Sequence, residues 1–290
     1  MKHPPPRIAR EREEMICSLA DSLGEDFFSS AGTDLKSLLT DRGINLHFDS
    51  FKESFDGLID ACGDSYHIYC NTRTGNTPGS TRARFTIAHE LGHYFIDEHR
   101  HAIRAGAFPS MGEMAPKDLI VEREADLFAS RLLLPNSFYL NSLKKAAVGL
   151  KGIVSLANQF DVSIKCSALR YLNEDHSSCA LSFWSWERNL IWKWYSTSMW
   201  NAGIRKIKAE PIRGGATDKC LRMGPENPGS MEDSAATIGY LFHVGDGVHH
   251  AELVSEEAMS LGEFGVLSLI HVKAGKLKPM AEVLEKRYCR

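Results

Sequence analysis

His89-Glu90-Leu91-Gly92-His93 and, further along, Glu122-Arg123-Glu124-Ala125-Asp126 read as parts of two helices that face one metal ion. Residues four apart on a helix lie about 40° apart around its axis, so His89 and His93 project from one face toward a common point. Glu122 supplies a third ligand of a type zinc accepts. Two histidines and one carboxylate leave a fourth position open, which separates a catalytic zinc site from a structural one. Glu90 sits beside the ligands, free to act as a base. Random placement produces such a motif in about one chain in thirty of this composition, so the reading needs its surroundings. These agree. The first helix starts after the Pro78-Gly79-Ser80 turn, with Phe85, Ala88, Leu91, Gly92 and Phe95 on an apolar face and Thr86, Glu90, His93 and Asp97 opposite, bordering a polar cleft. The second runs from Asp118 to Leu134, where Pro135 stops it, with Val121, Ala125, Phe128 and Leu132 as its core stripe.

The runs Arg84-Phe85-Thr86-Ile87-Ala88-His89-Glu90-Leu91-Gly92-His93, Glu122-Arg123-Glu124-Ala125-Asp126-Leu127-Phe128-Ala129 and Leu132-Leu133-Leu134-Pro135 resemble the ImmA/IrrE family of bacterial metallopeptidases. The resemblance spans residues 35 to 175 and includes Gly43-Ile44 before a strand, Asp56-Gly57 at a turn and Ile68-Tyr69-Cys70-Asn71 at a strand end. One position departs from it. Many members carry Asn where this chain has Asp126, giving the Glu-x-x-x-Asp spacing of gluzincins. The resemblance implies a zincin-like fold in which His89, His93 and Glu122 hold zinc, with manganese as an alternative. It also implies that Glu90 moves the proton, and that Asp126 accepts a hydrogen bond from His89 and orients it. It implies further a protein substrate, a helix-turn-helix repressor or antitoxin cut at a specific site, and hence stress-response or toxin-antitoxin regulation. His99, His101 and Arg104 are the candidates for stabilising an oxyanion.

Three rival readings have less behind them. His99 follows His93 at the metzincin spacing, with Met111 and Met114 available for a Met-turn, but Ile96 occupies the glycine position. Continued helical phase would carry His99 about 240° away from His93. Peptide deformylases use a cysteine ligand in a Gly-Cys-Leu-Ser setting, whereas Cys62 lies in Ala-Cys-Gly-Asp. A metal-stabilised protein that sequesters a regulator without cutting it is the alternative from another class, and the presence of Glu90 speaks against it.

The 290 residues carry a formal net charge of −3 and 43% hydrophobic residues, a balance suited to two globular domains and unsuited to general nucleic-acid adhesion. No apolar run approaches the roughly 20 residues of a membrane span, and the amino terminus lacks a signal-peptide stretch. The seven cysteines are scattered and form no Cys-x-x-Cys pair, as expected of a reduced, cytoplasmic protein. Cys70 reads as a small buried hydrophobe, with a regulatory thiolate as the alternative.

The expected architecture is α+β: a zincin-like domain over residues 1–176, then a β-rich α+β domain over 177–290 as a candidate sensor or regulatory domain. Residues 8–23 and 35–42 read as helices, and 44–48 and 66–71 as strands of a small antiparallel sheet whose edge could pair with an extended substrate. Asp97 to Lys117 reads as a loop between the two metal helices. Residues 151–173 resemble a helix-turn-helix with Ser163 as a cap, yet Lys151, Lys165 and Arg170 face Asp161, Glu174 and Asp175, too acidic a balance for DNA binding. Beyond residue 177 the period becomes two. Ala180–Trp186 and Leu190–Tyr195 read as one hairpin, 238–244 and 248–254 as another across Gly245-Asp246-Gly247, and Phe264–Val272 as a further strand, with Cys220–Asp233 a loop. The Trp184, Trp186, Trp192, Trp194, Tyr195 and Trp200 cluster reads as sheet packing rather than a ligand wall. His249 and His250, on opposite faces of a strand, argue against a second metal site among His243, His249, His250 and His271.

Overall fold

A computed structural model describes residues 8–52, 55–106, 116–243, 249–272 and 275–280. The chain runs through α1 (Arg10–Asp26), a short ribbon of β1 (Phe28–Ser29) and β2 (Gly32–Thr33), α2 (Leu35–Asp41), β3 (Ile44–Asp49), β4 (Gly57–Cys62), β5 (Ser65–Asn71), α3 (Thr81–Phe95), α4 (Asp97–Arg104), α5 (Pro116–Leu133) and α6 (Asn136–Leu143). It continues through α7 (Leu150–Phe160), α8 (Ile164–Asn173), β6 (Cys179–Trp184), β7 (Leu190–Tyr195), α9 (Thr197–Asn201), α10 (Ala216–Met223), β8 (Met231–Thr237), α11 (Ile238–Leu241), β9 (Leu253–Ser260) and β10 (Val266–Val272). The described residues up to Ala146, with Ser155–Cys166, form one compact unit. Ala147–Val154 and the described residues from Ser167 onward form a second. The division therefore differs from the single boundary expected near residue 176, because α7 and α8 each contribute to both units.

The first unit is α+β, as expected, with α3 at its centre. The Ser80 hydroxyl accepts from the Ala83 N–H at 3.1 Å and starts the helix after the predicted turn. Thr86, Glu90 and His93 are buried together with Ala83, Ala88 and Leu91, so the polar side of the helix is not a solvent face. The cause is packing on two flanks, by α5 on one and β4 on another. At the crossing with α5, a Cβ on Gly92 would stand 3.1 Å from the Ala125 Cα and 3.2 Å from its carbonyl oxygen. Only glycine opposite alanine lets the two backbones come this close. Pro135 ends α5 as predicted, and the Asp21 carboxylate of α1 accepts from the Asn136 N–H at 2.9 Å just beyond it.

The small sheet has the order β3-β5-β4, with β3 parallel and β4 antiparallel to β5. It is mixed rather than antiparallel. Asp56-Gly57, read as a turn, instead leads into β4, and the reversal lies at Gly63, whose φ of 61° suits glycine. The expected loop after Asp97 is helical as far as Arg104, while Pro109, Met111, Gly112 and Met114 lie outside the described residues. The helix-turn-helix-like pair is present as α7 and α8. Ser163 caps α8 through the Cys166 N–H at 3.1 Å, and the turn residue Asp161, at φ 50°, is held by Arg84 of α3 at 2.9 Å from its carbonyl oxygen.

The second unit is built on an antiparallel sheet of order β7-β6-β10-β9-β8. The β6–β7 hairpin and β10 match expectation. The second hairpin does not: residues 238–241 are helical, β9 pairs with β8 and β10, and Gly245-Asp246-Gly247 lies outside the described residues. The segment read as a loop from Cys220 holds the end of α10 and, from Met231, an edge strand. Trp184 is 2% exposed in the core, Trp192 stacks on Phe183 at 5.4 Å, and Trp194 and Trp200 are half exposed.

Replacing Gly92 by Val should force α3 and α5 apart and lower unfolding stability by about 1–3 kcal/mol, with Gly92→Ala costing less. Urea denaturation checks this, and an unchanged midpoint in Gly92→Val would mean that the helix crossing is not tight.

Candidate metal centre

His89 and His93, one turn apart on α3, meet Glu122 of α5. The His93 Nε2 lies 3.1 Å from the His89 Nε2 and 3.7 Å from the Glu122 Oε1, and the His89 Nε2 lies 3.2 Å from the Glu122 Oε2. One atom from each residue falls within 4.8 Å of the others, and among the described residues no other His, Cys, Asp and Glu form such a group. Ligands about 2.0–2.1 Å from a tetrahedral zinc ion stand about 3.3 Å from each other, so the spacing fits a divalent cation.

The hydrogen bonds behind the ligands argue the same way. The His89 Nδ1 lies 3.0 Å from the Asp126 Oδ1, an atom that only accepts, so that nitrogen carries the proton. Its Nε2 is then left with a lone pair facing the His93 Nε2 and the Glu122 carboxylate. Three acceptors pointing at one another need a positive charge between them. Without a cation a proton takes that place: burial works against the imidazolium of His89, but its bonds to Asp126 and Glu122 prevail and raise its pKa to about 10. Burial holds His93 well below the usual histidine range.

Glu90 is 6% exposed. Its carboxylate lies against Gly57, where a Cβ would come within 2.7 Å of Oε1, and it accepts from the Ile59 N–H of β4. Burial pushes this carboxyl up to about 7, with His89 opposing and Glu122 adding to the rise. Cys70, on β5, is fully buried, and burial pushes its thiol up to about 12, in keeping with its reading as a packed hydrophobe.

His99 does not follow the sequence reading. The helix does not continue past Phe95: Ile96, 3% exposed, is extended at φ −79°, ψ 113°, and α4 begins anew at Asp97. The bend brings His99 beside His93, but at the Nδ1 edge, 3.2 Å from the His93 Nδ1 and away from Glu122. It stands outside the group of residues that could hold a metal. Arg104 bonds the Tyr66 hydroxyl at 2.6 Å, and His101 is exposed. Sequence reasoning also missed Glu124, 6% exposed, and Arg12, which binds it at 2.8 Å. No motif spacing could have flagged a partner drawn from α1. His271 pairs with Glu257 at 2.9 Å and His249 lies 2.9 Å from the Lys278 carbonyl oxygen, so neither joins a second cluster.

Residues 46–171 match the peptidase M78 family, described as the IrrE N-terminal-like domain. This segment is an IrrE-like domain. It contains His89, Glu90, His93, Glu122 and Asp126. A solved structure of a Mycobacterium tuberculosis transcriptional regulator is similar over 90% of this chain and 89% of that one, with a TM-score of 0.55 and 15% identity, a likeness of fold. No curated protein matches the chain significantly. No described helix is long and apolar enough to cross a membrane.

Zinc present at a hundredfold excess over its Kd should stabilise the wild type by about 2.7 kcal/mol against urea, and Glu122→Ala should lose nearly all of that gain. Equal stabilisation of both proteins would place the ion elsewhere.

Proposed function

We propose that the IrrE-like domain is a zinc endopeptidase that makes a limited, specific cut in a regulatory protein. The observation that carries the reading is the convergence of His89, His93 and Glu122 with the buried Glu90 carboxylate on the same helix. Bound there, zinc supplies Lewis acidity, polarising a carbonyl and making water a better nucleophile at neutral pH. Glu90 takes the proton of the attacking water on its carboxylate and returns it to the departing amide nitrogen. Asp126 fixes the His89 ring by accepting from its Nδ1–H.

β4 suggests how a substrate is held. It pairs with β5 along one side, and its Ile59 N–H reaches Glu90. An extended peptide added along this strand by main-chain hydrogen bonds brings its scissile bond to the Glu90 carboxylate. Gly57 keeps that approach free of a side chain.

A helix-turn-helix repressor or antitoxin as substrate rests on the resemblance to the ImmA/IrrE family, and a regulatory setting agrees with the mycobacterial fold relative being a transcriptional regulator. The second unit, an antiparallel sheet with its own helices, is then the place for a sensor input. The second reading, a metal-stabilised protein that sequesters its partner without cutting, is favoured by no observation in the site, since Glu90 is not among the metal-holding group.

Protein N-termini in host cells expressing the wild type or Glu90→Gln at equal levels, with and without stress, separate the two. We expect a new N-terminus only with the wild type, while Glu90→Gln keeps its metal. Identical profiles from two metal-loaded proteins would favour sequestration.

A further inference from the structure

The second ligand histidine is backed by a chain of side chains that the peptidase reading does not use. From the His93 Nδ1 it runs 3.2 Å to the His99 Nδ1, from the His99 Nε2 3.2 Å to the Glu124 Oε2, and from Glu124 to Arg12, whose Nη2 is 2.8 Å and Nε 3.1 Å away. Arg12 in turn holds both oxygens of Glu98 at 3.0 Å. The four residues come from three helices, α1, α4 and α5, and His99 and Glu124 are 4% and 6% exposed. Neither His99 nor Glu124 belongs to the metal-holding group.

We propose that His99, Glu124 and Arg12 are positioning residues that fix the tautomer and ring orientation of His93. The proposal rests on the reading of His93 as a metal ligand. The directions of the hydrogen bonds leave one consistent solution. A His93 that offers the Nε2 lone pair to a cation must carry its proton on Nδ1, and this Nδ1–H donates to the His99 Nδ1. The His99 Nδ1 must then be bare, which puts its proton on Nε2, where it donates to the Glu124 carboxylate. Glu124 accepts it as a carboxylate because the guanidinium of Arg12, which has no accepting atom and keeps its charge, neutralises it. The polarity of the chain is therefore set at its far end by a cation on α1 and delivered at its near end as a lone pair on His93. Asp126 does the same for His89 in one step.

His99→Phe keeps a ring in the pocket and removes the acceptor. Its zinc affinity should fall 10- to 100-fold, the usual loss when a hydrogen-bond partner of a ligand histidine is removed, and the visible bands of the cobalt-loaded protein should shift. His99→Asn, whose amide oxygen can stand where Nδ1 stood, should recover most of the affinity and the wild-type bands. Nitrogen-15 spectra of the histidine rings in the zinc-loaded wild type, which need no variant to fold, should show His93 protonated on Nδ1 and His99 on Nε2. Wild-type affinity and bands in His99→Phe, equal damage in His99→Asn, or a proton on the His99 Nδ1 would each overturn the relay. If the wild type itself binds neither zinc nor cobalt, the metal centre fails first and the relay with it.

Discussion

Everything at the centre depends on how closely α3 and α5 cross. Gly92 faces Ala125, and no larger pair lets the Gly92 position stand 3.1 Å, measured from where a Cβ would be, from the opposing Cα. That closeness sets the reach of the three side chains that could hold a metal. Histidines rising from α3 and a short carboxylate rising from α5 can converge only if the backbones behind them nearly touch, and Glu122 lies one turn before Ala125 on its helix. The glycine inside the histidine motif is thus a packing requirement of the site, although it carries no chemistry.

Convergence creates an electrostatic problem that the surroundings are built to contain. Three acceptors and the neighbouring Glu90 crowd into a region where His93 is 1% and Glu90 6% exposed, so repulsion is poorly screened. Both histidines are therefore held from behind, His89 by Asp126 and His93 by His99. The two supports differ in environment. Asp126, with 58% of its side chain exposed, is a one-step support that water can reach, whereas Glu124 has only 8% of its side chain exposed and needs the Arg12 guanidinium to be tolerable at all. A buried carboxylate facing a ligand histidine would otherwise be one more uncompensated negative charge.

The parts of this arrangement that were legible in the sequence are those governed by local periodicity. Helical spacing placed His89 with His93 and Glu122 with Asp126, Ser80 and Pro135 marked helix ends, and alternation marked β6, β7 and β10. What escaped depends on contacts distant in sequence. The burial of Thr86 and Glu90 follows from β4, which begins at the Gly57 that reads locally as a turn residue. The position of His99 follows from Ile96, an apolar residue with ordinary helix propensity that nevertheless leaves the helix and lies buried, at 3% exposure. Arg12 belongs to the helix read over residues 8–23, whose periodicity says nothing of which charged side chain finds a partner, and its contacts become visible only once α1 lies beside Glu98 and Glu124.

The second unit repeats the lesson with consecutive residues. Ser255-Glu256-Glu257 looks like a solvated stretch, yet Glu256 is 3% exposed and both carboxylates accept from helix N-termini. Adjacent strand residues point to opposite faces of a sheet, so β9 can serve a helix on each. Glu256 receives the Ala216 N–H of α10 at 2.8 Å and the Thr217 hydroxyl at 2.6 Å, and Glu257 receives the Leu150 N–H of α7 at 2.6 Å with His271 beside it. Each helix is preceded by a glycine, Gly215 or Gly149, at which a side chain would collide with the capping carboxylate. The orphan N–H groups and positive dipole ends of two helices thus take up two negative charges that burial alone would penalise. The pairing of glycine and glutamate makes these carboxylates part of the scaffold, in contrast to Glu90, which is buried beside His89 and accepts from the backbone N–H of Ile59 on a strand.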